Sequence, residues 1–188
     1  FFWGVNPNYL CYELMQKKPP IKPLKVLDVG CGEGKDAVFL AKNGYIVTAF
    51  DMAESGLEKG RMLAEKNGTY VNFYKADIND FELQDNYDII FCSGVFHYMK
   101  PEKRTEVVEK LKKHTNSGGL HVINVFVEKP FIKNLEKEHS HLWKSGELFM
   151  HYHDWKIHTM EEFVFDCNSG GVAHQHCMDV MIAEMWNE

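Results

Sequence analysis

The chain has 188 residues, 45% hydrophobic and 26% charged, and this composition predicts one globular domain with a sizeable buried core. The formal net charge of −6 and the lack of a Lys/Arg cluster argue against a nucleic-acid partner held through phosphate contacts. No apolar run approaches the roughly 20 residues of a transmembrane helix, so no membrane partner is expected. The five widely spaced cysteines predict reduced thiols in a cytoplasmic protein rather than a disulfide framework.

The N-terminal segment, residues 1–23, precedes the regular pattern and is interpreted as a lid or strap ahead of one domain at 24–188. In that domain short apolar runs alternate with amphipathic ones that end at glycine, which predicts strands alternating with helices. This alternation predicts a parallel sheet covered on both faces, with right-handed crossovers. The predicted strands are 24–30, 45–51, 70–77, 87–94 and 120–126, and the predicted helices are 35–44, 55–68 and 101–114, with a turn at 116–119.

The pattern changes after residue 126. Residues 128–150 are expected to be irregular or partly helical, and 154–165 and 173–185 predict two long strands around the turn sequence Asn-Ser-Gly-Gly at 168–171. These two strands are expected to form an antiparallel hairpin at one edge of the sheet. The predicted fold is therefore α/β, a doubly wound, Rossmann-like sheet of seven strands, mostly parallel with a C-terminal antiparallel hairpin.

A glycine-rich loop follows the first predicted strand, in the stretch VLDVGCGEGKDA at 26–37. In a doubly wound sheet, ligands bind at the carboxyl ends of the strands near the topological switch point. Glycine lets a ligand approach the backbone, and the next helix offers its N-terminal N–H groups. The loop predicts a nucleotide-like ligand, with a ligand-free glycine turn as the alternative.

The spacing of this loop separates it from the dinucleotide fingerprint, because Lys35 stands where G-x-G-x-x-G has its third glycine. A carboxylate inside the strand, Asp28, suits a cationic or amino-bearing ligand. D-x-G-x-G-x-G resembles motif I of the class I S-adenosylmethionine (SAM) methyltransferases, and the resemblance spans residues 24–126. It implies the class I methyltransferase fold, SAM as cofactor with S-adenosylhomocysteine (SAH) as product, and a cofactor-binding role for Asp28, Gly30, Cys31, Gly32 and Gly34.

Three further features lie where this family has cofactor contacts. Asp51, which ends the second strand, either accepts hydrogen bonds from both ribose hydroxyls or caps the next helix, and Met52 packs on the adenine. Asp77 with Ile78 either receives the adenine edge or makes a simple strand-end turn. The stretch CSGVFHY at 92–98 implies that Ser93 and Gly94 lie beside the methionine part of the cofactor, while its aromatic side chains face either the substrate or the core.

A second resemblance extends the first. The aromatic N-terminal segment 1–10, the triplet Gly-Glu-Leu at 146–148 and the pair Tyr152 and Trp155 resemble the tellurite-resistance methyltransferase subgroup. This likeness implies that the triplet and the terminal hairpin cover the active site. The chain departs from the subgroup's pattern because Asn168 stands near the expected hairpin histidine and the arginines of that region are absent. The departure disfavours an oxyanion acceptor of the tellurite kind and leaves the expectation of methyl transfer intact.

The candidate catalytic residues are His97, Tyr98 and His176. His97 is either a general base or substrate hydrogen-bonding group, or a packed side chain. Tyr98 and Trp3 could shield a sulfonium with their aromatic faces. His174 and His176 lie two residues apart in the last predicted strand, so they are expected to share one face. His151 and His153 would also share a face if their backbone were extended. Both pairs invite a metal hypothesis, with a substrate-facing wall or surface histidines as alternatives, and no metal site is predicted.

The sequence therefore predicts a SAM-dependent methyltransferase that acts on a small-molecule acceptor, a thiol, a chalcogen or a small metabolite, by in-line displacement. A nicotinamide-dependent oxidoreductase is disfavoured by the glycine spacing. A non-catalytic SAM-binding regulatory or partner protein stays open as the alternative.

Overall fold

A computed structural model describes residues 6–133, 140–168 and 171–186. Its single sheet has seven strands in the order β3-β2-β1-β4-β5-β7-β6, and the first five strands run parallel. The predicted α/β fold with a doubly wound sheet and a C-terminal hairpin is confirmed. The strands are β1 Lys25–Val29, β2 Ile46–Asp51, β3 Asn72–Lys75, β4 Tyr87–Ser93, β5 Thr115–Val127, β6 Lys156–Cys167 and β7 His174–Glu184.

Five α-helices and two short 3-10 helices accompany the strands within the described part of the chain. Helix α1 belongs to the N-terminal segment, where the sequence had predicted no helix, and it begins after Asn8, whose side chain accepts a hydrogen bond from the Leu10 backbone. The helices are α1 Tyr9–Lys17, α2 Lys35–Lys42, α3 Glu54–Lys66, α4 Arg104–Lys113 and α5 Glu147–Met150, with 3-10 turns at Phe96–Tyr98 and Pro101–Lys103.

The core lies in two layers, one on each face of the sheet. Strand β1 contributes side chains to both layers, because successive side chains of a strand point to opposite faces of the sheet. Val26 belongs to one layer and Leu27 to the other. Helix α1 buries Leu10 and Leu14 in the first layer, and full burial of such side chains stabilises the fold by about 1.5–3 kcal/mol each. The N-terminal segment is thus packed on the sheet through residues 9–17.

The topological switch point lies between β1 and β4. The chain runs from β1 outward through β2 to β3, then returns to place β4 on the other side of β1. At such a point two crossovers diverge and leave a crevice at the carboxyl ends of the strands. The glycine-rich loop after β1 opens onto that crevice.

The predicted turn at 116–119 is wrong as a separate turn, because these residues belong to β5. Tyr87 pairs with Thr115, while Ile89 two residues later pairs with Leu120, so β5 carries extra residues as a bulge against β4. Gly118 adopts a φ of 70° inside this bulge. The turn-like composition therefore bends a continuous strand instead of ending one.

The C-terminal hairpin is confirmed, since β6 and β7 pair antiparallel and β7 also pairs antiparallel with β5. A shared face for His151 and His153 required an extended backbone, and the structure has none there, because both residues lie in turns directly after α5. Trp3 lies outside the described residues. Among the helices that the structure describes, none has the length and apolar character that a membrane span requires.

Candidate functional site

A cavity of about 1080 Å³ opens at the carboxyl ends of β1 and β4 and extends to the C-terminal hairpin. We call its two ends the cofactor half and the acceptor half, after the roles that the sequence resemblance implies for their residues. The cofactor half is lined by residues of the glycine-rich loop and nearby polar groups: Asn8, Asp28, Gly30, Cys31, Gly32, Asp36, Asp51, Ser93 and Gly94. The acceptor half is lined mostly by aromatic residues, histidines and sulfur-bearing residues: His97, Tyr98, Phe126, Phe163, Phe165, Cys167, His176 and Met178.

Two glycines of the loop have different tasks. Gly32 has a φ of +55°, and a Cβ built there would meet none of the described atoms within 4 Å, so its open side faces the cavity. Gly34 has a φ of +76°, and a Cβ there would lie 2.8 Å from the Phe73 ring and 3.0 Å from the Gly60 Cα. Gly34 therefore permits tight packing of the loop on α3 and β3, whereas Gly32 leaves room for a ligand against the backbone.

The carboxylate of Asp51 holds the loop in place. Its Oδ2 accepts a hydrogen bond from the Gly32 backbone N–H at 2.9 Å, and its Oδ1 accepts one from the Ala53 N–H at 2.9 Å. A carboxylate oxygen accepts more than one hydrogen bond, so both oxygens keep capacity toward the cavity that Asp51 lines. Asp51 thus fixes the loop and the entry to α3 while it remains able to bind a hydroxyl pair.

Asp28 is the most unusual carboxylate of the site. It is 2% exposed and lines the cavity, and among the described residues its Oδ2 has no hydrogen-bond partner. Burial raises the pKa of this carboxyl well above its ordinary value, and the nearby Asp36 and Asp51 raise it further, while the Ala37 backbone N–H opposes the shift. A buried acceptor without a partner is costly, and a cationic N–H donor in the cavity would satisfy it.

A polar network that sequence reasoning missed lines the same cavity as Asp28. The Ser93 Oγ accepts hydrogen bonds from Asn8 Nδ2 at 2.8 Å and from Asn124 Nδ2 at 3.0 Å. Asn124 Oδ1 in turn accepts the Gly94 backbone N–H at 2.6 Å. The available signal was a lone buried Asn inside the apolar run of β5, a position that requires hydrogen-bond partners.

The three predicted catalytic residues, His97, Tyr98 and His176, all line the same cavity. Phe126 joins two of them, because its ring centroid lies 4.8 Å from that of His97 and 4.8 Å from that of His176. His97 is buried and packs on Tyr98 at 4.2 Å, while Tyr98 is 40% exposed at the cavity mouth. The structure thus brings together side chains from β4's following turn, β5 and β7.

Other predicted site residues lie outside the cavity lining. Met52 is 63% exposed, and Asp77 Oδ1 accepts hydrogen bonds from the backbone and side chain of Asn79 at 2.8 and 3.2 Å. Ile78 is buried in the core. Phe96 is fully buried and stacks on Trp143, whose indole N–H donates to the Phe96 carbonyl at 2.9 Å, so the core alternative describes its position.

The resemblance to the tellurite-resistance subgroup implies that the Gly-Glu-Leu triplet at 146–148 covers the active site, but none of these three residues belongs to the described cavity lining. Arg104 donates to the Glu147 carboxylate at 2.7 Å. The Tyr152 hydroxyl lies 2.7 Å from Nδ1 of the buried His121, whose pKa burial lowers to about 3. Neutral His121 and Tyr152 therefore form a buried pair behind β5.

The family profile described as "Tellurite resistance protein TehB" matches residues 10–170, most of the chain. The chain belongs to the TehB family. The resemblance to class I SAM-dependent methyltransferases of the tellurite-resistance subgroup is confirmed.

Two curated relatives illustrate the match. The "Probable S-adenosyl-L-methionine-dependent methyltransferase TehB" of Haemophilus influenzae is 32% identical over 137 residues, which cover 73% of this chain and 48% of the relative. The ubiquinone biosynthesis O-methyltransferase of Rickettsia prowazekii is 31% identical over 120 residues, 64% of this chain and 47% of the relative. The chain thus spans about half the length of these curated relatives.

Solved structures agree on the fold. The crystal structure of TehB from Haemophilus influenzae superposes with a TM-score of 0.85 at 26% identity, covering 95% of this chain and 62% of that chain. The magnesium protoporphyrin IX methyltransferase of Synechocystis with bound SAH superposes with a TM-score of 0.70 at 16% identity, covering 94% of this chain and 80% of that chain. The second match shows a shared fold alone.

Proposed function

We infer that this chain binds SAM in the cofactor half of the cavity and transfers its methyl group to a small-molecule acceptor in the acceptor half. The observation that carries the proposal is the buried Asp28 carboxylate beside the open face of Gly32. An ammonium group satisfies such a carboxylate, and SAM carries both an ammonium and a sulfonium. Membership in the TehB family supports the same cofactor.

The residues of the cofactor half fit the parts of SAM by their chemistry. Asp28 is the proposed acceptor for the ammonium group, and Asp51 for the ribose hydroxyls. Gly32 leaves the backbone accessible, while Ser93 and Gly94 are held in position by Asn124. The clustered acids also lower the electrostatic potential of this half, which favours a cationic ligand.

SAM supplies a methyl group on a sulfonium, which departs as a neutral thioether. The chain's own tasks are then to bind, to orient and to exclude water, because no covalent intermediate on the protein is needed. The buried ring of His97 and the partly exposed ring of Tyr98 line the acceptor half of the cavity. We propose that His97 accepts the proton of an acceptor that arrives protonated. We propose that Tyr98 makes a shielding contact with the acceptor.

The acceptor half favours a soft or weakly charged acceptor. Its aromatic and thioether walls come from Phe126, Phe163, Phe165 and Met178. Within the described cavity lining there is no arginine, and the lining lysine, Lys35, lies at the start of α2 in the cofactor half. This lining supports a thiol, a chalcogen or a small metabolite over an oxyanion. All five cysteines are described and are thiols, which supports the proposed cytoplasmic setting.

The experiment that tests this function measures SAH formation from SAM over a panel of thiol, selenol and hydroxyl acceptors. We expect acceptor-dependent SAH release, and we expect His97→Asn to lower kcat/KM while the SAM dissociation constant stays unchanged. SAM binding without SAH formation on any acceptor would favour the non-catalytic alternative. Failure of SAM to bind would overturn the whole proposal.

A further inference from the structure

Three potential metal ligands share one face of the C-terminal hairpin. In the β6–β7 pairing Cys167 stands directly opposite His174, and His176 follows two positions further along β7 on the same face. The ligand atoms of the three side chains all lie within 4.8 Å of one another. The register of the hairpin thus brings one sulfur and two imidazole groups together from residues that are close in the chain but form no recognisable sequence motif.

The hydrogen bonding of His174 prepares its other ring nitrogen as a ligand. Nδ1 lies 2.7 Å from the Val172 carbonyl oxygen, which can only accept, so Nδ1 carries the proton. The Nε2 lone pair of a neutral ring then points at the cluster, where Nε2 of His176 lies 2.9 Å away. An N–H bond to a backbone carbonyl is the usual outer-sphere support of a metal-binding imidazole.

We propose that Cys167, His174 and His176 bind one thiophilic divalent cation of the zinc class. Zinc bonds of about 2.0–2.1 Å to nitrogen and about 2.3 Å to sulfur place tetrahedral ligand atoms about 3.3–3.6 Å apart, so small side-chain rotations suffice. Thiolate with imidazole is the donor set that zinc prefers, and three protein ligands leave one coordination position open. The site is half-buried, which lets an ion enter.

Cys167 and His176 both line the acceptor half of the cavity, so an acceptor bound there would have access to the open position. If the proposed methyl transfer holds, on which this step rests, the cation takes a thiol acceptor as its thiolate. The thiol proton passes to His97, to which the proposed function assigns the proton of a protonated acceptor, and the acceptor sulfur forms a bond to the methyl carbon. The methyl–sulfonium bond breaks with its electron pair on the departing thioether, so charge and atoms balance.

The test is a calorimetric titration of the reduced, chelator-treated and dialysed chain with zinc sulfate, paired with a cobalt titration followed by absorption. We expect one equivalent of zinc to bind and cobalt to give a thiolate charge-transfer band. Cys167→Ser should abolish the band, and His174→Asn and His176→Asn should each weaken zinc binding at least about tenfold, the scale on which lost metal partners act.

Two residues of the same chain that lie outside the cluster supply matched controls. Cys177→Ala removes the next cysteine, which is buried beside Val127 on the other face of β7, and His153→Asn removes an exposed histidine outside the cavity. Both variants should keep the zinc affinity and the cobalt band. No zinc binding by the wild type, or a band that persists in Cys167→Ser, would overturn the site.

A separate experiment tests the open coordination position. Mercaptoethanol added to the cobalt-loaded chain should strengthen the charge-transfer band, since a second thiolate joins the ion, and an unchanged band would overturn the open position. SAM titration of the chelator-treated chain separates this inference from the proposed function. Zinc failure with SAM binding intact refutes the metal site alone, whereas SAM failure with zinc binding intact refutes the proposed function and leaves the site.

Discussion

The two halves of the cavity are built in different ways. The cofactor half is formed where parallel strands end, and its loop is held by a carboxylate on the next strand, as Asp51 holds Gly32. The acceptor half is formed by cross-strand register in the hairpin, where Cys167 meets His174 and Phe165 meets His176. A local motif therefore specifies the glycine-rich loop of the first half, whereas the register of the β6–β7 pairing determines which side chains line the second.

This difference predicts that SAM affinity and acceptor selectivity depend on separate sets of residues. The cofactor half concentrates carboxylates in a site where burial raises the pKa of Asp28. The acceptor half presents aromatic rings, sulfur and imidazole, with Phe126 in contact with both His97 and His176. Substitutions in the first half should therefore act on SAM affinity, and those in the second on the acceptor.

The largest effect is expected for Gly32→Val. The left-handed φ of +55° disfavours any side chain by about 1–2 kcal/mol, and the new side chain would occupy the open face that we assign to SAM. SAM affinity should fall by more than about 1000-fold, or about 4 kcal/mol, in calorimetry. Gly68→Val is the matched control, because Gly68 has a φ of +61° outside the cavity, and this variant should lose similar stability yet bind SAM normally. Equal SAM loss in both variants would contradict the ligand-facing role of Gly32.

Asp28→Asn should lower SAM affinity about 100-fold, since the amide keeps the shape and loses the charge that pairs with an ammonium. Its effect on the unliganded chain has the opposite sign. Burial raises the pKa of Asp28 in the folded chain, so above the unfolded pKa of about 3.9 the unfolded chain releases this proton more readily than the folded chain does. The free energy of unfolding therefore falls as pH rises above that value. The variant should therefore have a higher Tm than the wild type near neutral pH, and an equal one at low pH where both states are protonated. A lowered neutral Tm with unchanged SAM affinity would refute this assignment.

Asp51→Ala should weaken SAM binding about 30-fold, or about 2 kcal/mol, because the ribose loses its acceptor and the Gly32 and Ala53 N–H groups lose theirs. Asp88→Ala supplies the control at the other end of the sheet. Asp88 also accepts a backbone hydrogen bond, from Lys25 at 2.8 Å, but it lies outside the cavity lining. A SAM dissociation constant unchanged in Asp51→Ala, measured by calorimetry, would remove Asp51 from the cofactor site.

The smallest effect concerns the buried pair behind the acceptor half. His121 has a pKa lowered to about 3 by burial, then by Lys112, whereas the unfolded value is about 6.5. Its contribution to stability is complete above the unfolded pKa and is lost as pH falls, by about 1 kcal/mol between about pH 6 and pH 5. In urea denaturation, His121→Phe should flatten this pH dependence and His153→Asn should not. Equal slopes in the two variants would show that His121 is not buried in its neutral form.

The sequence was sufficient for features that depend on neighbours in the chain. The parallel sheet, the hairpin and the placement of Asp28, Gly32 and Asp51 around one crevice follow from strand–loop–helix order. The turn composition at 116–119 misled because a bulge accommodates those residues within β5. Turn-like composition indicates that the backbone bends, but it does not indicate whether the strand resumes its pairing with β4 beyond the bend.

The remaining features depend on contacts that no local pattern specifies. Asn8 reaches Ser93 across 85 positions of the chain, so their hydrogen bond needs the folded sheet. Cys167 pairs with His174, whereas a turn confined to 168–171 would have paired it two residues earlier. That shift along the hairpin decides which side chains meet, and for this reason the sulfur–imidazole cluster was not predicted.

Calorimetric titration of the purified chain with SAM is the direct test of the proposed cofactor half. We expect saturable binding with a stoichiometry of one, weakened in Asp28→Asn and unchanged in Asp88→Ala. Absence of binding heat together with no rise in Tm at saturating SAM would contradict it.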